Sequence, residues 1–339
     1  MMLRLILGRL GMMAGVLLGV LLLTFLISRL LPGSPVEALL GAKPTAEQIA
    51  AARLALGLDR PIYEQFAVYV WHALHGDLGR SLASGQPVLA EMTRRAGASF
   101  ELVTISLVVA LGIGVPLGMR SAVAQDRGFD HLVRAITLAG MALPSFFIGM
   151  LLQMLFYGSA GWLPLQGRLS DDVLLDHPFD PVTGLALVDS LLAGEPAAFG
   201  SALAHLVLPV ATLALATVAV VTRNTRALMI DALGADHIRT FRAYGLAESR
   251  IQYRYALRAT LIPLLTIIGL TYGYMLGGSI VVETIFDWPG LGAYAVNALV
   301  SNDFPAVMGV TILLATVYLT INLLVDLTYY AVDPRLGRR

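Results

Sequence analysis

Three kinds of residue in this chain have the chemistry for a site: histidines, acids near apolar runs, and a dense set of arginines. His72 and His75, three apart, would share a helix face and could pair on a metal ion, but no third ligand stands close in sequence. His131, His205 and His237 are isolated, which suits structural roles. The chain has no cysteine, so disulfides, thiolate metal sites and a cysteine nucleophile are excluded. No Gly-x-x-x-x-Gly-Lys-Ser/Thr loop occurs, and Gly112, Gly114 and Gly118 lie inside an apolar run, where helix packing explains them. No Ser/His/Asp set is recognisable. Arg29, His205, Glu283 and Asp326 fall toward the ends of apolar runs, where snorkelling or local pairing suffices. A carrier driven by protons or ions would place acids near the midplane. No catalytic, cofactor-binding or metal residue is therefore assigned, and no cofactor is expected.

The arginines are patterned. From Arg223 to Pro263 the sequence reads as helix, glycine break, helix between two apolar runs. Ile238, Phe241 and Tyr244 recur every three residues, and Arg239 and Arg242 share that spacing elsewhere on the helix. Gly245 suits a left-handed stop. Arg250, Arg254 and Arg258 then follow at i, i+4, i+8 as one basic stripe. Two readings stand: a short element placed to touch something outside the lipid, or a loop whose arginines only anchor to headgroups.

Composition supplies the frame for this element. Of 339 residues, 57% are hydrophobic and only 14% charged, about half the usual charged share. Charge-free windows run Leu10–Ser28, Leu102–Met119, Ala135–Gly167, Pro196–Thr222, Ala259–Val282 and Phe304–Val325. Each supplies roughly the twenty apolar residues needed to cross a bilayer. The expectation is an all-α integral membrane protein in one transmembrane domain, residues 1–339. Its six transmembrane helices fall near 10–31, 102–120, 135–157, 203–222, 261–282 and 306–328. Arginine placement sets the orientation. Both termini lie on the cytoplasmic side with Arg120, Arg127, Arg134 and the seven arginines from Arg223 to Arg258, while the short outer segments hold Arg168 alone. The first run is read as a retained span rather than a cleaved signal, being long and lacking a small-x-small site after it. Zero net charge gives no pointer to nucleic acid; the lipid bilayer is the expected surrounding.

The outer segments are expected to be structured. Within the folded outer loop 32–95, Thr45 and Gln48 fit a capping box for a helix ending near Gly57. Pro61 suits the first turn of a second helix, with Ile62, Phe66, Val70 and Leu74 on one face and Gly76 after it. The loop Gly158–Ser201 carries Asp171, Asp172, Asp176, Asp180, Asp189 and Glu195, either solvating it or forming an anionic rim. Physics alone thus reaches a conduit with no visible fuel. A stand-alone carrier or channel and an intramembrane enzyme are the rivals, and each lacks the buried groups it would need.

Several segments resemble the permease subunits of bacterial ABC importers for peptides and nickel, with the B-type dipeptide permease as the nearest likeness. They are Leu31-Pro32-Gly33-Ser34-Pro35, Leu56-Gly57-Leu58-Asp59-Arg60-Pro61, Gly76-Asp77-Leu78-Gly79-Arg80-Ser81, Leu143-Pro144-Ser145-Phe146, Trp288-Pro289-Gly290-Leu291-Gly292 and Asp333-Pro334-Arg335. Gly167-Arg168-Leu169-Ser170-Asp171 and Leu192-Ala193-Gly194-Glu195 are similar to dipeptide permeases in particular. The likeness implies a type I importer permease fold in a bacterial inner membrane, with alternating access driven by ATP burned elsewhere. Implied partners are a second permease in a heterodimer, two ATP-binding subunits or domains, and an outer substrate-binding protein. The implied cargo is short peptides; nickel chelates, glutathione or another small solute stay open. The inner loop 223–260 then becomes a coupling loop. Arg239, Thr240, Phe241, Arg242, Ala243, Tyr244, Gly245 and Leu246, with Glu248 and Arg250, match the position of the motif that docks on the ATPase, although relatives more often carry Ala at 241 and Lys at 244. Phe241 and Tyr244 are expected to act there as aromatic knobs.

Overall fold

The computed structural model describes residues 2–30, 45–55 and 59–332. The motifs Leu31–Pro35, Leu56–Leu58 and Asp333–Arg335, and the proposed helix end at Gly57, lie outside these residues. The described chain is helical: α1 Met2–Leu30, α2 Ala46–Ala55, α3 Ile62–Leu74, α4 Val88–Val123, α5 Gly128–Ala142, α6 Ser145–Ser159, α7 Asp171–Asp176, α8 Ala186–Ala193, α9 Pro196–Gly234, α10 Asp236–Ala243, α11 Glu248–Ile285, α12 Leu291–Val300 and α13 Phe304–Val332. Beyond the helices there is an isolated antiparallel bridge between Arg80 and Pro87.

Five helices are long and apolar enough to cross a membrane, and α5 with α6 supply a sixth if that pair is one span. The single crossing expected over 135–157 is in fact two helices meeting at 98°. Leu143 and Pro144 make the break. Proline has no N–H to give the preceding turn, and its ring drives the residue before it out of the helical region. Leu143 is accordingly extended, at φ −85° and ψ 128°. The chain resumes as a helix at Ser145 and ends in a π-helical turn over Gln153–Ser159.

The chain forms two compact units. One comprises Met1–Ala98 with Pro289–Thr320, the other Ser99–Trp288 with Ile321–Arg339. In the first unit the Thr45 capping box is made: the Gln48 amide N–H reaches the Thr45 hydroxyl at 3.3 Å, and the Thr45 N–H reaches the Gln48 carboxamide oxygen at 2.9 Å. Pro61 is the N-cap of α3 rather than part of its first turn. Of the stripe expected on α3, only the middle packs: Phe66 lies 5.4 Å from the buried Phe25 ring of α1, while Ile62 and Leu74 are 48% and 76% exposed. A second core joins the start of α4 to α12 and α13 through Val88, Met92, Leu291, Ala306 and Val310. Gly309 permits that approach, since a Cβ there would sit 2.6 Å from Val88.

In the second unit α9 is the hub. It packs on α5, α6, α8 and α11. Its apolar window is 61% buried, against 11% for Ile6–Arg29 in α1, so α9 is a core helix although both are apolar enough to span. Gly114 and Gly118 let α4 close on α9: added Cβ atoms would meet Val221 at 2.9 Å and the Thr222 carbonyl at 2.6 Å. At Gly112 an added Cβ would meet nothing within 4 Å among the described residues, so it is not part of that contact.

Candidate functional site

The arginine-rich segment folds as helix, glycine break, helix. Asp236 opens α10, where a carboxylate suits the positive end of the helix dipole. Gly245 takes φ +75° and turns the chain away, with its N–H on the Arg242 carbonyl at 2.9 Å and the Leu246 N–H on the Phe241 carbonyl at 3.2 Å. α11 then begins at Glu248 and passes through a π-helical turn over Ile251–Ala256, which interrupts the i, i+4 register expected for Arg250, Arg254 and Arg258. All three arginines nevertheless remain exposed.

This element is seated rather than tethered. Ile238 is fully buried in a core made by Met119 and Ala122 of α4, Met229 of α9, and Ile251 and Ala256 of α11. Phe241 and Leu246 pack against the edge of that core. Phe241 therefore faces the protein, its ring 4.4 Å from that of Tyr255 and edge-on to His237 at 6.0 Å. It is a strut and not an outward knob. Tyr244, read as its companion, is 79% exposed and points the other way, because the helix has already ended at Ala243. Arg239, Thr240, Arg242, Ala243, Gly245, Glu248 and Arg250 are exposed with it. The Arg242 guanidinium grips Glu248 across the glycine turn, Nε to Oε1 at 2.7 Å and Nη2 to Oε2 at 3.4 Å. Arg239 is 3.6 Å from Asp236. The outward surface thus carries both signs of charge, one aromatic side chain, and a turn braced on itself.

Beside this core is a network the sequence reading missed. Asp130, at the start of α5, is fully buried and accepts four hydrogen bonds: Ser121 Oγ at 2.5 Å, the Asp126 N–H at 3.0 Å, and Arg226 Nε and Nη2, both at 2.6 Å. The ends of α4 and α5 are thereby pinned to α9. The network's signal in the sequence is an acid in the first turn of a helix, between Arg127 and Arg134.

Toward the other end of this unit, Glu101 binds Arg168 at 2.5 Å and accepts the Ala186 and Leu187 N–H groups that open α8. Arg168 is therefore clamped, its guanidinium also lying 5.7 Å from the buried Trp288 ring. Asp189 is buried in the same stretch. Burial alone would raise its carboxyl, but bonds from the Thr183 N–H and hydroxyl and from the Gly184 N–H outweigh that and hold it below the usual range. Glu195 pairs with His177 at 2.9 Å. Asp171, Asp172, Asp176 and Asp180 are the acids of this loop left exposed, so any anionic rim is smaller than the sequence suggested. Glu283, expected to snorkel or pair near a span end, is fully buried and accepts from Ser99 at 2.7 Å and Ser279 at 3.0 Å.

In the first unit Asp77 turns the chain by accepting the Gly79 N–H at 3.0 Å. Ser81 then donates to the buried Asp303, which caps α13 through the Ala306 N–H. His72 is 3.0 Å from Asp77, and His75 is bonded to the Trp71 carbonyl, so their Nδ1 atoms are engaged with different partners.

Residues 114–338 match the family described as binding-protein-dependent transport system inner membrane component, and residues 2–102 match its N-terminal counterpart. The chain belongs to this family. The permease is 45% identical to the probable D,D-dipeptide transport system permease protein DdpB of Escherichia coli K12, over 95% of this chain and 94% of that protein. It is 41% identical to the dipeptide transport system permease protein DppB of the same strain, over the full length of both. It is 35% identical to the glutathione transport system permease protein GsiC of Salmonella paratyphi A, over 98% of each. The resemblance to peptide-importer permeases is thus confirmed, and several of the motifs that suggested it prove to be structural: turns at Gly76–Ser81, the break at Leu143–Pro144, and the buried Trp288.

Proposed function

We propose that this permease is half of the translocation pathway of an ATP-driven importer of short peptides, and that α10 with the Gly245 turn is where force enters it. The observation that carries this is the seating of Ile238 in a core shared by α4, α9 and α11. A load applied to the outward face of α10 would be felt by all three helices at once, and such stiffness is what a lever between partner ATPases and spans requires. The contact face would be Arg239, Thr240, Arg242, Ala243, Tyr244, Gly245, Glu248 and Arg250, with Phe241 and Leu246 supporting it from behind.

In this reading six spans cross a bacterial inner membrane, α5 and α6 forming one bent crossing, with both termini and residues 223–260 on the cytoplasmic side. The partners are a second permease, two ATP-binding subunits or domains, and a binding protein that delivers cargo from outside. Similarity to dipeptide permeases over the whole chain favours di- and tripeptides; similarity to a glutathione permease keeps that tripeptide as the second reading.

Because the chain has no native cysteine, a single Ala243→Cys variant reports docking without background. In intact membranes a crosslinker at that position is expected to capture an ATP-binding subunit, and capture of none would remove the engine from the proposal. Uptake with the cognate binding protein is expected to be competed by di- and tripeptides and not by nickel chelates. The reverse pattern would reassign the cargo while leaving the coupling reading intact.

A further inference from the structure

An open groove of about 390 Å³ runs between α5 and α9. One end is basic: Arg134 from α5, with Arg223 and Arg226 from α9, line it. Arg226 is committed to Asp130, whose oxygens already accept four hydrogen bonds. Arg134 and Arg223 are exposed, and among the described residues neither has an ion-pair partner. Three guanidiniums against two carboxylates, Asp130 and the nearby Asp126, still leave a surplus of positive charge. Thr222, on the same wall, is 1% exposed, and among the described residues its hydroxyl has no hydrogen-bond partner. Apart from Thr137, whose hydroxyl donates to the Val133 carbonyl, the rest of the lining is apolar, chiefly Val133, Leu138 and Met141, and the last two residues are 63% and 44% exposed.

One wall, α9, is a candidate span, and the other, α5, is one together with α6. An occupant must therefore bring anionic acceptor oxygens to Arg134 and Arg223 and hydrocarbon to Leu138 and Met141, at the boundary of a bilayer. A free phosphate would have no use for the apolar wall. A zwitterionic lipid would carry its own cation toward the arginines. We infer that the groove holds the phosphate of an anionic phospholipid on Arg134 and Arg223, with an acyl chain along Leu138 and Met141. The lipid would brace α5 against α9 beside the Asp130–Arg226 pair. The inference requires only that the chain sits in a bilayer and stands apart from the coupling reading.

Native mass spectrometry of the purified, assembled transporter tests it, with phosphatidylglycerol, phosphatidylcholine and inorganic phosphate as probes. Phosphatidylglycerol should be retained at concentrations where phosphatidylcholine is not. Arg134→Gln or Arg223→Gln should weaken retention about fivefold and the double variant about thirtyfold, at roughly one unit of surface attraction per arginine. Arg134→Lys with Arg223→Lys should keep most of it, and assembly of each variant with its partner subunits controls for folding. Equal retention of the two lipids, or an unaffected double glutamine variant, overturns the inference. So does displacement of lipid by inorganic phosphate, which would make this a soluble-anion site. A Leu138→Cys crosslink to a partner polypeptide in intact membranes would show that protein, not lipid, covers the groove.

Discussion

Arg242 and Gly245 act through different physics although they share a turn. The Arg242–Glu248 pair is exposed, and exposed pairs contribute only about 0.2–1 kcal/mol. Arg242→Glu should therefore leave the melting temperature of the purified permease nearly unchanged while abolishing ATP-driven uptake. Exchanging both charges, Arg242→Glu with Glu248→Arg, restores the bond across the turn but not the outward charge pattern. Uptake recovered in that double variant would mean that the pair serves only the turn. Gly245 instead holds φ +75°, a conformation that costs an ordinary residue about 1–2 kcal/mol. Proline at 245 is locked near −65° and also loses the N–H that reaches the Arg242 carbonyl. Gly245→Pro is expected to insert normally into membranes, seen by fractionation, and to transport nothing.

Among the elements, the joint of α4, α5 and α9 is held by charge on one side and by close packing on the other. Asp130→Asn leaves the Arg226 guanidinium largely buried without its counter-ion, and breaking such a pair typically costs about 3–5 kcal/mol. A clear drop in melting temperature is expected. Asp130→Asn combined with Arg226→Met should regain part of it, because the orphaned charge is then gone. On the packing side, Gly118→Ala forces a methyl against the Thr222 carbonyl and Thr225 Cβ, an overpacking of about 1–3 kcal/mol, whereas Gly112→Ala meets open space. Thermal scans of the two variants should separate them; equal melting temperatures would show that the α4–α9 contact is looser than its distances imply. Neither distinction is visible in the string Gly112-Ile113-Gly114-Val115-Pro116-Leu117-Gly118, where all three glycines look alike.

At the scale of the whole molecule, arginine placement predicts that a tag fused at Arg339 lies in the cytoplasm. Protease in intact spheroplasts should spare that tag and remove it only after lysis; removal before lysis would invert the topology. Orientation is read from charge asymmetry, a property of composition along the chain, so one sequence is enough to state it. The apolar windows were legible for the same reason: crossing a bilayer demands some twenty uninterrupted apolar residues whatever they touch.

The sequence by itself determined the long apolar helices, their membrane class, the glycine-broken arginine element and the motifs of the family. Each of these follows from a local rule, whether a run length, a period, a capping pair or a left-handed glycine. Only the tertiary structure decided that Leu143–Pro144 bends a charge-free window by 98°, that Phe241 turns inward while Tyr244 stays out, and that Asp130, Glu101 and Glu283 are buried and satisfied. Those outcomes depend on partners brought from distant positions, as with Arg226 and Asp130, nearly a hundred residues apart. A side chain's burial is set by what packs against it, and that information resides in the contact rather than in either residue.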